Sequence, residues 1–267
     1  MSKDTSELGV QQDGPVLRIR LQRPQRRNAM TREMLSGLID AIENAPDNDQ
    51  VRVIVLSGEG DHFCGGMDLT VVNAPSDRPP RVGDMQRRMP RGANRLIPAM
   101  LEVQLPIVCA VRGWASGLGC HLALASDFTI AARSARFVEP FVKRGFTPDS
   151  GATYLLHRLV GLARAKEMLL LGREITGAEA AAWGMIHAAV EEDQLESATE
   201  ELVTQLAGAA TIALGLTKWL MHRSSDVDLG DALANEAFAL ELSARSKDFK
   251  EGMAAFAGKR PPRYEGR

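Results

Sequence analysis

Apolar and polar residues alternate along VLRIRLQRP (Val16 to Pro24), the period-two pattern of a strand with one buried face. The next segment, TREMLSGLIDAIEN, changes period. Leu35, Leu38, Ile39 and Ile42 fall on one face of a helix. VRVIVLSGEG (Val51 to Gly60) is a β-branched run stopped by a glycine turn, and PIVCAVRGW (Pro106 to Trp114) is a second such run. WASGLGCHLALASD (Trp114 to Asp127) then reads as a glycine turn opening into a helix, and DFTIAA (Asp127 to Ala132) as a further short strand. Strands and helices alternate, with no hairpin signal between the long strands. The pattern predicts an α/β fold with helical crossovers.

Residues 71–95 are rich in Pro, Arg and Asp with weak periodicity, and are expected to form a long loop with some helix, a candidate lid. From Ala152 onward the pattern is mainly helical. ITGAEAAAWGMI carries a capping box, Thr176 with Glu179, and Gly184 as its C-cap. Apolar-patterned helices fill residues 196–258, and the chain ends in a basic tail, GKRPPRYEGR. No internal repeat is visible. The expected organisation is a core over residues 1–195 and a helical region over 196–267 used for packing or oligomerisation.

Composition narrows the partners. The 267 residues are 45% hydrophobic and 25% charged, with a net charge of −2, which gives no electrostatic reason to expect nucleic acid or an anionic membrane. Arginines do cluster locally, at Arg78, Arg81, Arg87, Arg88, Arg91 and Arg95, either as a solvated face or as a rim that attracts an anionic ligand. Cys64, Cys109 and Cys120 form no C-x-x-C pair, and the five histidines lack metal-ligand spacing, so no metal and no cofactor is expected. Cys109 and Cys120 lie in apolar runs, as buried thiols do. The polar start of the chain has no signal-peptide core, and no apolar run reaches transmembrane length. A soluble, cytoplasmic protein is the expectation.

Two segments share one design: strand, glycine-rich turn, helix start. They are VRVIVLSGEGDHFCGGMDL and PIVCAVRGWASGLGCHLALASD. A helix N-terminus exposes unpaired N–H groups, and glycine lets a ligand come close to the backbone. One such turn is an ordinary strand–helix connection. Two of them on adjacent strands would aim two N–H donors at one oxygen, an oxyanion hole.

In order along the chain, RPQRRNAM, FCGGMDL, VRGWASGLGCHLALASDFTIAA, RLVGLARAKEMLLLGREITGAEAAAWGMIHAAV and SKDFKEGMAAFAGKRPP resemble the motifs of the crotonase superfamily, the enoyl-CoA hydratase/isomerase family. The resemblance runs from Val16 to Tyr264. It implies a crotonase-like spiral of ββα units with a C-terminal helical trimerisation region, assembled as a trimer or a dimer of trimers. It implies an acyl-CoA ligand, with coenzyme A as part of the substrate. The family's two thioester-binding N–H groups fall on Met67 and Leu118, where leucine replaces the usual glycine. Arg27, Ala29, Gly65, Gly66, Asp68 and Leu69 match the segments that hold the adenine and pantetheine. Phe141 lines the pocket, and Phe256 and Lys259 match tail positions that reach coenzyme A, often from a neighbouring subunit.

The two-glutamate hydratases of the family carry their glutamates at the positions of His121 and Phe141. Water addition needs a base and an acid, and this pair is missing from its usual places. Asp149, in TPDSG, resembles the acidic residue of the family's dienoyl-CoA isomerases, dehalogenases and certain enoyl-CoA isomerases. Phe141 and Phe146 are its apolar neighbours in sequence. Its local alternative is a helix cap near Gly151. Glu139 is a second candidate if FVEPFV is extended, since it would then share a side with Phe141. A solvated or salt-bridged glutamate is the plainer expectation. His121 is either a group that positions substrate beside Asp149 or a buried histidine bonded to a backbone carbonyl. Three readings follow: double-bond isomerisation with Asp149 as base; hydration, thioester hydrolysis or dehalogenation on the same oxyanion hole; and acyl-CoA binding without catalysis.

Overall fold

The computed structural model describes residues 7–72 and 81–267. The strands are β1 (Leu8–Asp13), β2 (Val16–Leu21), β3 (Val53–Gly58), β4 (Ile107–Val111), β5 (Trp114–Ser116), β6 (Phe128–Ala132), β7 (Arg136–Val138), β8 (Ile175–Thr176) and β9 (Ala188–Val190). The helices are α1 (Arg32–Asn44), α2 (Leu69–Val72), α3 (Asp84–Arg88), α4 (Ala93–Glu102), α5 (Leu118–Ala125), α6 (Ala152–Leu171), α7 (Gly177–Ala182), α8 (Leu195–Ala207), α9 (Thr211–Ser224), α10 (Leu229–Ser243) and α11 (Lys247–Ala257). The larger sheet has the order β1-β2-β3-β4-β6-β9, and the smaller one β5-β7-β8. Parallel pairing links β2, β3, β4, β6 and β9, as the alternation of strands and helices predicts. This is the crotonase-like α/β fold with its C-terminal helical region.

Side-chain alternation divides the core between the two faces of the large sheet. Ile54, Leu56, Ile107 and Cys109 face a cluster that also holds Leu35, Leu38, Ile39 and Ile42 of α1, Leu96 and Met100 of α4, and Leu122 of α5. Val53, Val55 and Val108 face the other way, onto Val203, Leu206 and Ala207 of α8. Beyond residue 195, α8 covers one side of the sheet. A second tie holds α9: buried Lys218 donates to Asp127 at 2.7 Å and to the Leu105 carbonyl at 3.1 Å. The tail is tied as well. Asp248 accepts from the Glu265 and Gly266 N–H groups, and Arg52 donates to the Tyr264 carbonyl.

Several local readings are met. Thr176 and Glu179 form the capping box of α7, and Gly184 follows α7 in the left-handed region; the structure adds Thr31, which caps α1 through the Met34 N–H. All three cysteines are buried. Others are corrected. The polar segment before residue 15 forms β1, which pairs antiparallel with β2 across Gly14 at φ +54°. It is an edge strand with mostly exposed side chains, so no alternation announces it. The expected loop over 71–95 contains α3 and ends early, since α4 begins at Ala93 and runs through Pro98. Residues 73–80, Arg78 among them, lie outside the described residues. Arg95 pairs with Glu43 and Glu102, Arg88 pairs with Asp84, and Arg81, Arg87 and Arg91 are exposed.

Candidate active site

The two glycine turns are built against each other. They follow β3 and β4, which are neighbours in register Leu56 to Cys109. The chain after β3 threads the chain after β4 by backbone bonds: Phe63 N–H to Arg112 O at 2.9 Å, Cys64 N–H to Trp114 O at 2.8 Å, and Ser116 N–H to Cys64 O at 2.9 Å. Glycine is required at the contacts. A Cβ at Gly119 would overlap the Cys64 carbonyl oxygen, and one at Gly66 (φ +92°) would stand 2.8 Å from the Ser116 oxygen. That same Gly66 position lies 3.7 Å from the Leu118 nitrogen, so the first turn passes directly over the start of α5.

Met67 follows Gly66, and Leu118 is the first residue of α5. Neither N–H donates a hydrogen bond to any described residue. At Leu118 this is what a helix start dictates. At Met67 it comes from pairing: the Met30–Met67 bridge uses the Gly66 carbonyl and the Asp68 N–H, which turns the Met67 N–H to the other side. All eight residues of α5 are buried, and the Leu118 side chain is 3% exposed, so it packs into the core behind its own N–H.

The segment Arg27 to Met30 lies along the first turn. Gly65 N–H donates to Arg27 O at 2.7 Å, and Met30 N–H donates to Gly66 O at 2.8 Å. Arg27 and Asn28 both adopt positive φ. Buried Asn28 holds this shape, accepting from Arg23 N–H and donating to the Glu59 and His62 carbonyls. The Arg27 side chain is exposed and Ala29 is half-buried. Asp68 is occupied within the protein. It accepts from the Thr70 hydroxyl at 2.6 Å and from Arg23 at 3.1 Å, and the Thr70 bond, then Arg23, hold its carboxyl below the ordinary value of 3.8. Leu69, half-buried, opens α2. Phe256 is 83% exposed and Lys259 is exposed with φ +50°, at the far end of α11. Neither hydrogen-bonds to the turns, and in the single chain they are not tied to the site.

His121 and Glu139 come together. The imidazole Nε2 lies 3.1 Å from the Glu139 carboxylate, and both side chains are 0% exposed. His121 Nδ1 and the second Glu139 oxygen have no partner. Phe141 stacks on the imidazole at 5.9 Å between ring centres and 10° between planes, and meets Phe146 edge-on. Cys120 lies beside Glu139; burial, then the carboxylate's charge, pushes its thiol well above the ordinary range. Of the three expectations for Glu139, a catalytic candidate, a solvated or a salt-bridged side chain, full enclosure corrects the solvated one, and the partner it finds is His121. The backbone-carbonyl partner expected for a buried His121 is replaced by this carboxylate.

Asp149 is the contrast. Its side chain is exposed and makes no hydrogen bond or ion pair with the described residues. It does not cap α6: the N-cap is Gly151, which receives no side-chain bond, and only the Asp149 carbonyl accepts, from Ala152 N–H. Phe141 is buried, whereas Phe146 is 41% exposed. Ser150 and Gly151 after it both adopt positive φ, a sharp turn that ends on α6.

Comparison with known proteins fits this geometry. The family described as Enoyl-CoA hydratase/isomerase matches residues 11–267. The chain belongs to the enoyl-CoA hydratase/isomerase family. It is an enzyme of that acyl-CoA-processing group. One relative, 1,2-epoxyphenylacetyl-CoA isomerase of Escherichia coli (strain K12), is 36% identical over 252 residues, covering 94% of this chain and 95% of its own. Another from that strain, 2,3-dehydroadipyl-CoA hydratase, is 32% identical over 98% of this chain and 100% of its own. The solved enoyl-CoA hydratase of Bacillus anthracis superposes with a TM-score of 0.90 at 30% identity, covering 98% of this chain and 100% of that one. No group of three or more His, Cys, Asp or Glu among the described residues is arranged for a metal ion, and no described helix is long and apolar enough to cross a membrane.

Proposed function

We propose that this family member shifts a double bond in an enoyl-CoA, with Asp149 as the base. The observation that carries the reading is the pairing of two acceptor-free N–H groups, Met67 and Leu118, on interlocked turns. They bind the thioester oxygen. The Asp149 carboxylate takes a proton from the α carbon, and the electron pair moves onto that oxygen as an enolate. One such donor contributes about 3 kcal/mol of barrier reduction. The protonated Asp149 then returns the proton at the γ carbon, and the double bond ends in conjugation with the carbonyl. One carboxylate serves both transfers. Asp149 has no structural bond to break on the way, which supports its use as a shuttle. The loop Arg27 to Ala29 and the turn Gly65 to Leu69 hold coenzyme A, with Phe141 on the acyl side. Phe256 and Lys259 act from a neighbouring subunit. Exposed Leu162, Leu170, Leu171, Phe238 and Leu240 support assembly as a trimer or a dimer of trimers.

Hydration with His121 as base is disfavoured by its full burial under Phe141. The test is mass spectrometry of saturated, 2-enoyl and 3-enoyl thioesters incubated in D₂O with wild type and Asp149→Asn. Deuterium uptake and bond migration, lost in the variant, are expected. Water addition, free coenzyme A, or a covalent adduct on the TPDSG peptide would move the protein to hydration, hydrolysis or dehalogenation. Tight binding with no turnover of any thioester would make it a binder.

A further inference from the structure

The His121–Glu139 pair has no task in the mechanism above, yet burying two ionisable groups is costly. Two ionisable side chains with no exposed surface are joined by one bond, with a polar atom left over at each end. Apolar residues of the same volume would pack there without desolvation cost. Its neighbours point to a purpose. Pro140 and Phe141 continue directly from Glu139. The Phe141 ring edge lies 3.7 Å, and the Pro140 ring 3.9 Å, from where a Cβ of Gly117 would stand. Gly117 itself donates to the Val138 carbonyl at 2.9 Å, and the next N–H is that of Leu118. Imidazole, phenyl ring and oxyanion turn are therefore in sequence of contact. Among the described residues the imidazole has one side-chain polar tie, the bond to Glu139.

We propose that Glu139 is a positioning residue acting through His121: it fixes the imidazole as a flat platform for Phe141, and so sets the aromatic wall beside the Leu118 N–H. The wall decides how the acyl group lies under that donor. The inference rests on Leu118 as a thioester donor and leaves coenzyme A itself untouched.

The test uses Glu139→Met, which removes the bond at nearly constant volume, and Glu139→Gln, which keeps an acceptor for Nε2. Turnover of a 3-enoyl thioester, and equilibrium binding of a 2-enoyl thioester and of free coenzyme A, are read for each. Glu139→Met is expected to lose at least about tenfold in kcat and in thioester affinity, with free coenzyme A affinity within about twofold. Glu139→Gln is expected to stay within about threefold and to keep the exchange-protected imidazole N–H signal in NMR, which Glu139→Met loses. In a Phe141→Leu background, Glu139→Met adds no further loss, because the effect passes through Phe141. A folded Glu139→Met protein with wild-type values overturns the proposal, and so does an undiminished loss in the Phe141→Leu background. Should Glu139→Met not fold, Phe141→Leu alone decides: it must lose thioester affinity and keep coenzyme A affinity. A wild type that binds thioesters but converts none sinks the isomerase reading alone, and the pair is then judged on the binding difference.

Discussion

Glu139 and Asp149 sit on one connecting segment between β7 and α6, and the fold treats them in opposite ways. Glu139 is fully enclosed and bonded to His121, whereas Asp149 is exposed and bonded to nothing among the described residues. A buried carboxylate must be compensated, and once compensated it is committed to the structure. An exposed, unbonded one is free for chemistry when substrate supplies the missing cover. The difference teaches that burial alone is a poor guide to the catalytic carboxylate. What the second carboxylate is not doing is the better guide.

The sharpest test of this contrast is Asp149→Asn. It should lower α-proton exchange by about 10³-fold, the scale of a lost general base, and leave thermal stability unchanged. A large stability loss would make Asp149 structural and break the comparison. His121→Leu should act first on stability, with the smaller loss of turnover expected of a positioning residue. It strands a buried carboxylate, so thermal or denaturant unfolding should show a loss of about 3 kcal/mol. Gly151→Ala comes next. The nearest side chain, Ile97, is 3.5 Å from the new Cβ, so there is room, but φ is +90°. The expected cost is about 1 kcal/mol, with kcat falling as the turn presenting Asp149 relaxes. Retained kcat at lower stability would separate that turn from catalysis.

Asp68 gives the smallest effect and a useful middle case, a carboxylate that is bonded at the edge of the site. Its folded value is held below 3.8, first by the Thr70 hydroxyl and then by Arg23. A depressed value means that the unfolded chain binds the proton more readily. Stability from this group is full above about pH 4 and is lost as pH falls through the lower, folded value. Asp68→Asn should therefore flatten the acid limb of an unfolding profile below pH 4, with about 1 kcal/mol lost near neutrality. An unchanged acid limb would remove Asp68 from the structural class.

The features legible in the sequence are those set by neighbours along the chain. Thr176 announces a helix start because its partner, Glu179, lies three residues away. The β-branched runs of β3 and β4 announce strands, which the fold buries on both faces, and Gly66 and Gly119 mark the turns. β1 was hidden because an exposed edge strand needs no apolar face. The partnership of His121 and Glu139 was hidden for another reason. One comes from α5 and the other from the end of β7, and nothing local to either predicts that they meet. His121 stood out as a polar residue in an apolar helix, whereas Glu139 looked like any surface glutamate. Asp149 was flagged by resemblance, and its freedom from a capping role became visible only with Gly151 in place.

The interlocked turns also carry a consequence for how the chain acquires its chemistry. Cys64 waits for Trp114, and Gly117 waits for Val138. A chain ending before residue 138 would hold both glycine-rich stretches and their mutual bonds, yet would lack the Gly117 bond to Val138 and the segment that carries Asp149. The site is thus assembled from residues far apart in the chain, and the glycine motifs alone do not complete it.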